Sequence, residues 1–261
     1  MAGAGVNWEA PRFFVERVEG LPGMGRAVLE SEEAHHAARV LRLRPGDPVV
    51  LLDDTGREYA GEVLSIDYRT LRCDVVCRAA RPSPGEPAVW IDLLQALPKG
   101  DKMDYVVEKG TEAGVCRFVP VWTERTILRP DAGSLERRLA RWRRIAAEAA
   151  KQCRRGRRPA VAAPAGVAAA VQALRSRGAP VLLLWEKAEQ SLKAALRSWS
   201  GEGPREVGIV VGPEGGFGVE EAGELAALGA EPVKLGERIL RTESAGPIAA
   251  AIVLYELEGG T

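Results

Sequence analysis

The stretch Val207-Gly208-Ile209-Val210-Val211-Gly212-Pro213-Glu214-Gly215-Gly216-Phe217-Gly218-Val219-Glu220-Glu221 decides the fold class. A short run rich in Val and Ile ends in a glycine-rich loop, and Val219-Glu220-Glu221 then opens a helix. Glycines at the C-terminal end of a strand let backbone approach a ligand closely, and open α/β sheets bind ligands at that edge. The loop lacks the Lys-Ser or Lys-Thr pair of a P-loop and the Gly-x-Gly-x-x-Gly of a dinucleotide fold, which narrows the ligand without naming it. A glycine turn that only reverses the chain is the plainer alternative.

The same alternation of strand and helix extends over residues 88–261. Strands are expected at Val89 to Ala96, Arg117 to Val121, Val181 to Trp185, Val207 to Val211 and Pro232 to Leu235, with helices between them. That order implies a largely parallel α/β sheet covered by helices. The helix from Ser134 to Gln152 places Leu135, Leu139, Trp142, Ala146 and Ala149 on one stripe and turns most of its arginines elsewhere. Formal charge is +0, from 36 basic and 36 acidic residues, so the chain as a whole is no polycation. Charge is local instead: between Arg137 and Arg158 ten basic residues face one acid, Glu148, a patch suited to phosphates.

Arg81-Pro82-Ser83-Pro84-Gly85-Glu86-Pro87 breaks every periodic pattern. Residues 82–87 are therefore read as a linker between a first domain, 1–81, and a second, 88–261. In the first, Asp47 to Asp53, Glu58 to Ile66 and Thr70 to Arg78 read as short strands of a small β-barrel or sheet. A helix from Ser31 to Leu41 precedes them, with Ser31 as its cap and Glu32 and Glu33 in its first turn. Cys73 and Cys77 share one strand face and read as small buried side chains. Four scattered cysteines and two adjacent histidines do not make a disulfide framework or a metal site, so none is expected. No apolar run reaches membrane-spanning length and no signal peptide opens the sequence, which points to the cytoplasm.

A second loop carries chemistry: Leu235-Gly236-Glu237-Arg238-Ile239-Leu240-Arg241-Thr242-Glu243-Ser244-Ala245-Gly246-Pro247, ahead of a helix from Ala245 to Glu258. Ser244 is expected to cap that helix and Pro247 to fit its first turn. Capping accounts for the serine but not for Arg241, Thr242 and Glu243 set in one turn beside Ile239 and Leu240. The helix is apolar nearly all round at Ala249-Ala250-Ala251-Ile252-Val253-Leu254 and must be covered on more than one side.

Gly212 to Phe217 with Leu235 to Ala245 resemble the signature loops of the SPOUT-class family that methylates N3 of a uridine in small-subunit ribosomal RNA. The pattern there is GPEGGF followed by LG-x-RILR-[TA]-ETA, and Ser244 replaces the last threonine while keeping its hydroxyl. Arg12-Phe13-Phe14, the stretch from Ala96 to Met103, the stretch from Glu108 to Val115 and Glu148-Ala149-Ala150-Lys151-Gln152-Cys153 are similar to further motifs in the family's order. Two departures stand out. Gly110 and Ala113 occupy places of larger apolar residues, and Arg154-Arg155 stands where Ser/Cys-Gly-Arg is common.

The resemblance implies a PUA-like β-barrel RNA-binding domain joined to an α/β SPOUT methyltransferase domain with a trefoil knot. It implies S-adenosyl-L-methionine as cofactor, bound by Leu184, Trp185 and Glu186, by Val211, Gly212, Pro213, Glu214, Gly215 and Gly216, and by Leu235, Gly236, Ile239, Leu240, Arg241, Thr242, Ser244 and Ala245. Arg241 and Glu243 are the expected catalytic residues, with Glu214 as the other carboxylate able to take a proton. Arg12, Phe13, Lys99, Lys102, Arg154 and Arg155 are expected to contact 16S ribosomal RNA, within the small subunit, and the enzyme is expected to be a homodimer with its last helix in the interface. A SPOUT enzyme with another RNA target, or a non-catalytic RNA-binding assembly factor, would share much of this pattern.

Overall fold

The computed structural model describes residues 6–21, 24–199 and 203–258. The expected domain limits at 1 and 261 lie outside that range. The chain forms two compact units: Met1–Glu86 with Ala150–Arg158, and Pro87–Ala149 with Pro159–Thr261.

The first unit holds β1 (Arg12–Phe14), β2 (Glu19–Leu21), β3 (Met24–Leu29), β4 (Pro48–Leu52), β5 (Arg57–Asp67) and β6 (Arg72–Pro82) in one sheet of order β1-β4-β5-β6-β3-β2. All of its pairings are antiparallel except β1 with β4. Side chains alternate along β6, so Cys73, Val75 and Cys77 point inward to join Phe13, Leu29, Val49, Leu51 and Val63. Burial pushes the Cys73 and Cys77 thiols up to about 11, which leaves both protonated and unreactive at neutral pH. Helix α1 (Ser31–His35) runs directly into a π-helical turn, His36–Val40. Ser31 is not its cap: the cap position belongs to Glu30, no side chain caps the helix, and Ser31 itself sits at φ 52°.

The segment 150–158 supplies this unit with several ties. Lys151 Nζ lies 3.1 Å from Glu33, Arg157 donates to the Thr55 carbonyl at 2.7 Å, and Arg158 Nε donates to Asp54 at 2.8 Å. These three of the ten basic residues thus bind within the first unit. Arg154 falls at the glycine of the Ser/Cys-Gly-Arg pattern and adopts φ 64°, a left-handed backbone that glycine enters freely.

The second unit is a parallel sheet of β7 (Trp90–Ala96), β8 (Val115–Trp122), β9 (Ala160–Val161), β10 (Ala165–Gly166), β11 (Val181–Leu184), β12 (Glu206–Val211) and β13 (Ala230–Val233), in the order β10-β8-β7-β12-β11-β13 with β9 also on β8. Helices α2 (Lys102–Glu112), α3 (Ala132–Gln152), α4 (Val167–Arg175), α5 (Leu192–Ser198), α6 (Val219–Ala227) and α7 (Thr242–Leu257) connect the strands. Both faces of the sheet are covered, so its strands are continuous apolar runs: Leu93 and Ile209 enter one core with Val106, Phe118, Trp142 and Val253, while Leu94 and Val210 enter the other with Val171, Phe217 and Leu225. A Cβ on Gly110 would stand 2.6 Å from the Phe118 ring, so the fully buried Phe118 fills the space that a larger residue at 110 would occupy.

Two expectations shift. Strand β13 runs from Ala230 to Val233, because it pairs in register with Val181–Leu184, and Pro232 is tolerated there on an edge strand. Helix α7 starts at Thr242, with Arg241 at the cap position, so Ser244 is inside the first turn and caps nothing. Pro247 accordingly lies a turn deeper and leaves the Glu243 carbonyl without its i+4 amide donor.

Candidate active site

The C-terminal ends of β11, β12 and β13 lead into three loops that surround a cavity of about 670 Å³, within the roughly 300–1,000 Å³ of small-molecule sites. Of the residues expected at the cofactor, Leu184, Trp185, Glu186, Val211 to Gly216, Leu235, Gly236, Ile239 to Thr242 and Ala245 line it, and Ser244 does not. Glu243 lines it too, together with Lys102, Phe217, Val233, Lys234, Glu237 and Arg238. Lys102 is therefore a cavity residue, which its place in a polar stretch of sequence did not signal.

The glycine loop is held from several elements. The Thr242 hydroxyl donates to the Gly212 carbonyl at 2.6 Å and accepts from Gln95 Nε2 at 3.0 Å, with all the side chains involved buried. Gln95 is a lone amide in the apolar run of β7, and that mismatch was the sequence signal for it. The Glu214 carboxylate accepts from the Lys99 amide at 3.0 Å and from Lys102 Nζ at 2.9 Å. Burial acts to raise Glu214, but these hydrogen bonds outweigh it and hold the carboxyl below its ordinary value. The hydrogen bond to Glu214 likewise raises Lys102, and Glu243, 3.7 Å from its ammonium, adds to the effect. Glu243 Oε2 is buried without a hydrogen-bond partner.

Leu184, Val233, Leu235, Leu240 and Ala245 give the cavity apolar surfaces, and Ile239 stands at its rim 84% exposed. The indole N–H of Trp185 in the wall is buried and has no acceptor. Flat apolar surfaces, loop backbone free of side chains and an unsatisfied donor match a ligand that joins a heteroaromatic ring to a polar tail, as S-adenosylmethionine does.

The residues expected to touch RNA are placed less uniformly. Phe13 is fully buried in the core of the first unit, so its ring has no face to offer a base, and Arg155 is 2% exposed beside Glu86. These two expectations are corrected: the ring and the guanidinium are structural, used by the packing of their own unit. Arg12 pairs with the fully buried Glu58, which also receives Arg81 Nε at 2.5 Å. Arg154 pairs with Glu9 at the surface, and Lys99 is exposed. On α3, Arg137 and Arg144 are exposed, while Arg141 pairs with Asp104.

Residues 85–254 match the family model of the RNA methyltransferase domain, and residues 29–76 that of the RNA methyltransferase PUA domain. The ribosomal RNA small subunit methyltransferase E of Mycobacterium tuberculosis is 35% identical over 240 residues, covering 90% of this chain and 89% of that protein. The Bacillus subtilis protein of the same name is 29% identical over 255 residues, covering 95% and 97%. Among solved structures, the ribosomal RNA small subunit methyltransferase E of Neisseria gonorrhoeae bound to S-adenosyl methionine superposes with a TM-score of 0.82 at 29% identity, covering 95% of this chain and 98% of that one. With its sheet, its glycine loop and its PUA domain all matched, the chain belongs to the RNA methyltransferase family whose curated members are named ribosomal RNA small subunit methyltransferase E.

Proposed function

We propose that the protein transfers a methyl group from S-adenosylmethionine to N3 of one uridine in 16S ribosomal RNA. The observation that carries this reading is the cavity at the strand ends, whose walls are the two family-like loops joined by Thr242 and Gly212. Family membership supports the cofactor and the ribosomal RNA substrate. The choice of N3 and of a single uridine rests on the motif resemblance. So does the trefoil knot, with which the packing of α7 back against β7, β12 and α2, after the chain has left edge strand β13, is consistent.

S-adenosylmethionine supplies an electrophilic methyl group on a sulfonium sulfur. The N3–C bond forms as the S–C bond breaks, and the N3 proton must go to a base. Glu214 is poorly suited to that task, since the Lys99 amide and Lys102 Nζ both donate to its Oε1 and hold its carboxyl below the ordinary value. Glu243 lines the cavity and keeps an oxygen that accepts no hydrogen bond, so the proton is assigned to it in this reading. The proton neutralises the carboxylate as the sulfonium becomes a thioether, and charge balances. Lys102 holds the two carboxylates apart in role by occupying Glu214 at hydrogen-bond distance and Glu243 only at 3.7 Å. Arg241 is exposed beside the cavity, and its guanidinium, without a hydrogen bond or ion pair among the described residues, is free to direct its fork at the imide oxygen that gains charge.

Arg137 and Arg144 of α3 are suited to grip RNA phosphates, and methylation at N3 requires an unpaired or flipped base. The active form is a homodimer in this reading: Ile248, Ile252 and Tyr255 make an exposed apolar stripe along α7. No helix among the described residues is long and apolar enough to cross a membrane, and the work is assigned to the cytoplasm and the small subunit. The test is mass mapping of 16S ribosomal RNA from cells with and without the gene. A single uridine that loses its methyl group supports the proposal, and an unchanged map with no S-adenosylhomocysteine binding favours a non-catalytic RNA-binding factor.

A further inference from the structure

Between β8 and α3, outside the cavity lining, Thr123-Glu124-Arg125-Thr126 forms a turn that is unusually well tied down. Thr123 and Thr126 are both buried. The Thr126 amide donates to the Thr123 carbonyl at 3.2 Å, the Thr123 amide donates to the Thr126 hydroxyl at 3.0 Å, and the two hydroxyls lie 2.8 Å apart. This rigid turn carries Arg125, whose guanidinium donates to the carbonyl of Gly215 at 2.8 Å. The preceding residue is anchored as well: the Glu124 amide donates to Glu221 Oε1 at 2.7 Å, and Glu221 belongs to the first turn of α6, directly after the glycine loop.

Gly216 donates its amide to the Pro213 carbonyl at 2.9 Å. In a trans peptide the carbonyl and the next N–H point in opposite directions, so the Gly215–Gly216 peptide is held at both ends, by Pro213 on one side and Arg125 on the other. Gly216 sits at φ 62°. Two adjacent glycines leave such a peptide free to rotate, and a charge-assisted hydrogen bond is the kind of interaction able to select one orientation.

Resting on the cofactor reading given above, we infer that Arg125 is a positioning residue, which from behind the cavity holds the Gly215–Gly216 peptide in the orientation the cofactor meets. Glu221 is the second anchor of the same brace. The guanidinium itself touches neither cofactor nor RNA in this assignment.

Calorimetry with S-adenosylhomocysteine on the full chain tests it, using wild type, Arg125→Ala, Arg125→Lys, Glu221→Ala and Glu221→Gln, with thermal unfolding measured in parallel. Arg125→Ala is expected to raise Kd on the order of tenfold, the scale of one lost hydrogen bond to a charged donor. Arg125→Lys should recover part of that loss by retaining a donor, and Glu221→Gln should stay near wild type because an acceptor remains for the Glu124 amide. Glu221→Ala should weaken binding, and the double variant Arg125→Ala with Glu221→Ala, made to close the cycle, should lose less than the sum of the two, since both release one brace. In steady state the KM for S-adenosylmethionine should rise while the KM for RNA holds. Unchanged Kd with a raised KM for RNA, or a fall in thermal stability with normal affinity, overturns the inference. Wild-type protein that does not bind S-adenosylhomocysteine overturns the cofactor reading and this inference together, whereas normal wild-type binding with Arg125→Ala unaltered overturns this inference alone.

Discussion

The hydroxyl of Thr242 donates to the carbonyl of Gly212 at 2.6 Å, joining two loops thirty residues apart in sequence. Because Gln95 donates to the same hydroxyl at 3.0 Å, one small side chain ties β7, the glycine loop and the start of α7 together. Thr242→Val keeps the shape and deletes both bonds, leaving the buried Gly212 carbonyl without this donor and Gln95 Nε2 with the Ala96 carbonyl, at 3.1 Å, as its remaining acceptor. A loss of about 1–3 kcal/mol of stability is expected, with weaker S-adenosylhomocysteine binding, while Thr242→Ser stays close to wild type. Urea denaturation and calorimetry check both parts.

The two carboxylates of the cavity are expected to separate kinetically. Glu243→Gln should lower the single-turnover rate by about 10²–10⁴, the usual worth of a general base, with little change in cofactor affinity. Glu214→Gln should leave chemistry largely intact and instead loosen the loop, which reads out as a higher KM for S-adenosylmethionine. Equal losses in both variants would withdraw Glu243 from its role.

Acid should act on this site through Glu214. Its folded carboxyl lies below the ordinary value of about 4.3, so its contribution to stability is present above that value and disappears as pH falls through the folded one. Lys102 is raised, so its share is present below the ordinary lysine value and is lost only as pH climbs through the elevated one. Stability differences between wild type and Glu214→Gln should therefore be flat through neutrality and shrink at the acid end. Denaturant midpoints measured across pH would show it.

Arg154 is expected to prefer glycine. A non-glycine residue at φ 64° carries a penalty of about 1–2 kcal/mol, and its pairing with Glu9 is exposed and worth little. Arg154→Gly should be more stable than Arg154→Ala by about 1 kcal/mol, a comparison in which the lost ion pair cancels. Chemical denaturation of the two variants gives the answer.

Self-association is best probed at Ile252. Ala250 is fully buried, so a charge there would break the fold and report nothing about dimers, whereas Ile252 is 39% exposed on the outer stripe of α7. Ile252→Arg should keep the thermal transition and convert a sedimenting dimer to a monomer. A wild-type protein that sediments as an active monomer at sub-micromolar concentration would contradict the dimer.

Local chemistry made the parallel α/β sheet and its ligand edge readable in advance. Strands such as Val207 to Val211 are buried on both faces and so spell themselves as unbroken apolar runs, and glycines mark where backbone must approach a ligand. Those signals lie within a dozen residues, as does each of the two signature loops among the three that surround the cavity. Helix starts were read less well, because a serine near a helix looks the same whether it caps, as Ser31 and Ser244 do not, or lies inside the first turn. What no local pattern contains is which partner a polar side chain meets. Phe13 and Arg155 have the composition of an RNA surface, yet long-range packing buries both, and Lys102 meets Glu214 at the cavity only through a contact distant in sequence. Thr242 on Gly212, and Arg125 on Gly215, are bonds to backbone carbonyls distant in sequence. A carbonyl has no residue identity, so such bonds leave no mark in the sequence and exist only once the tertiary fold has brought the two segments together.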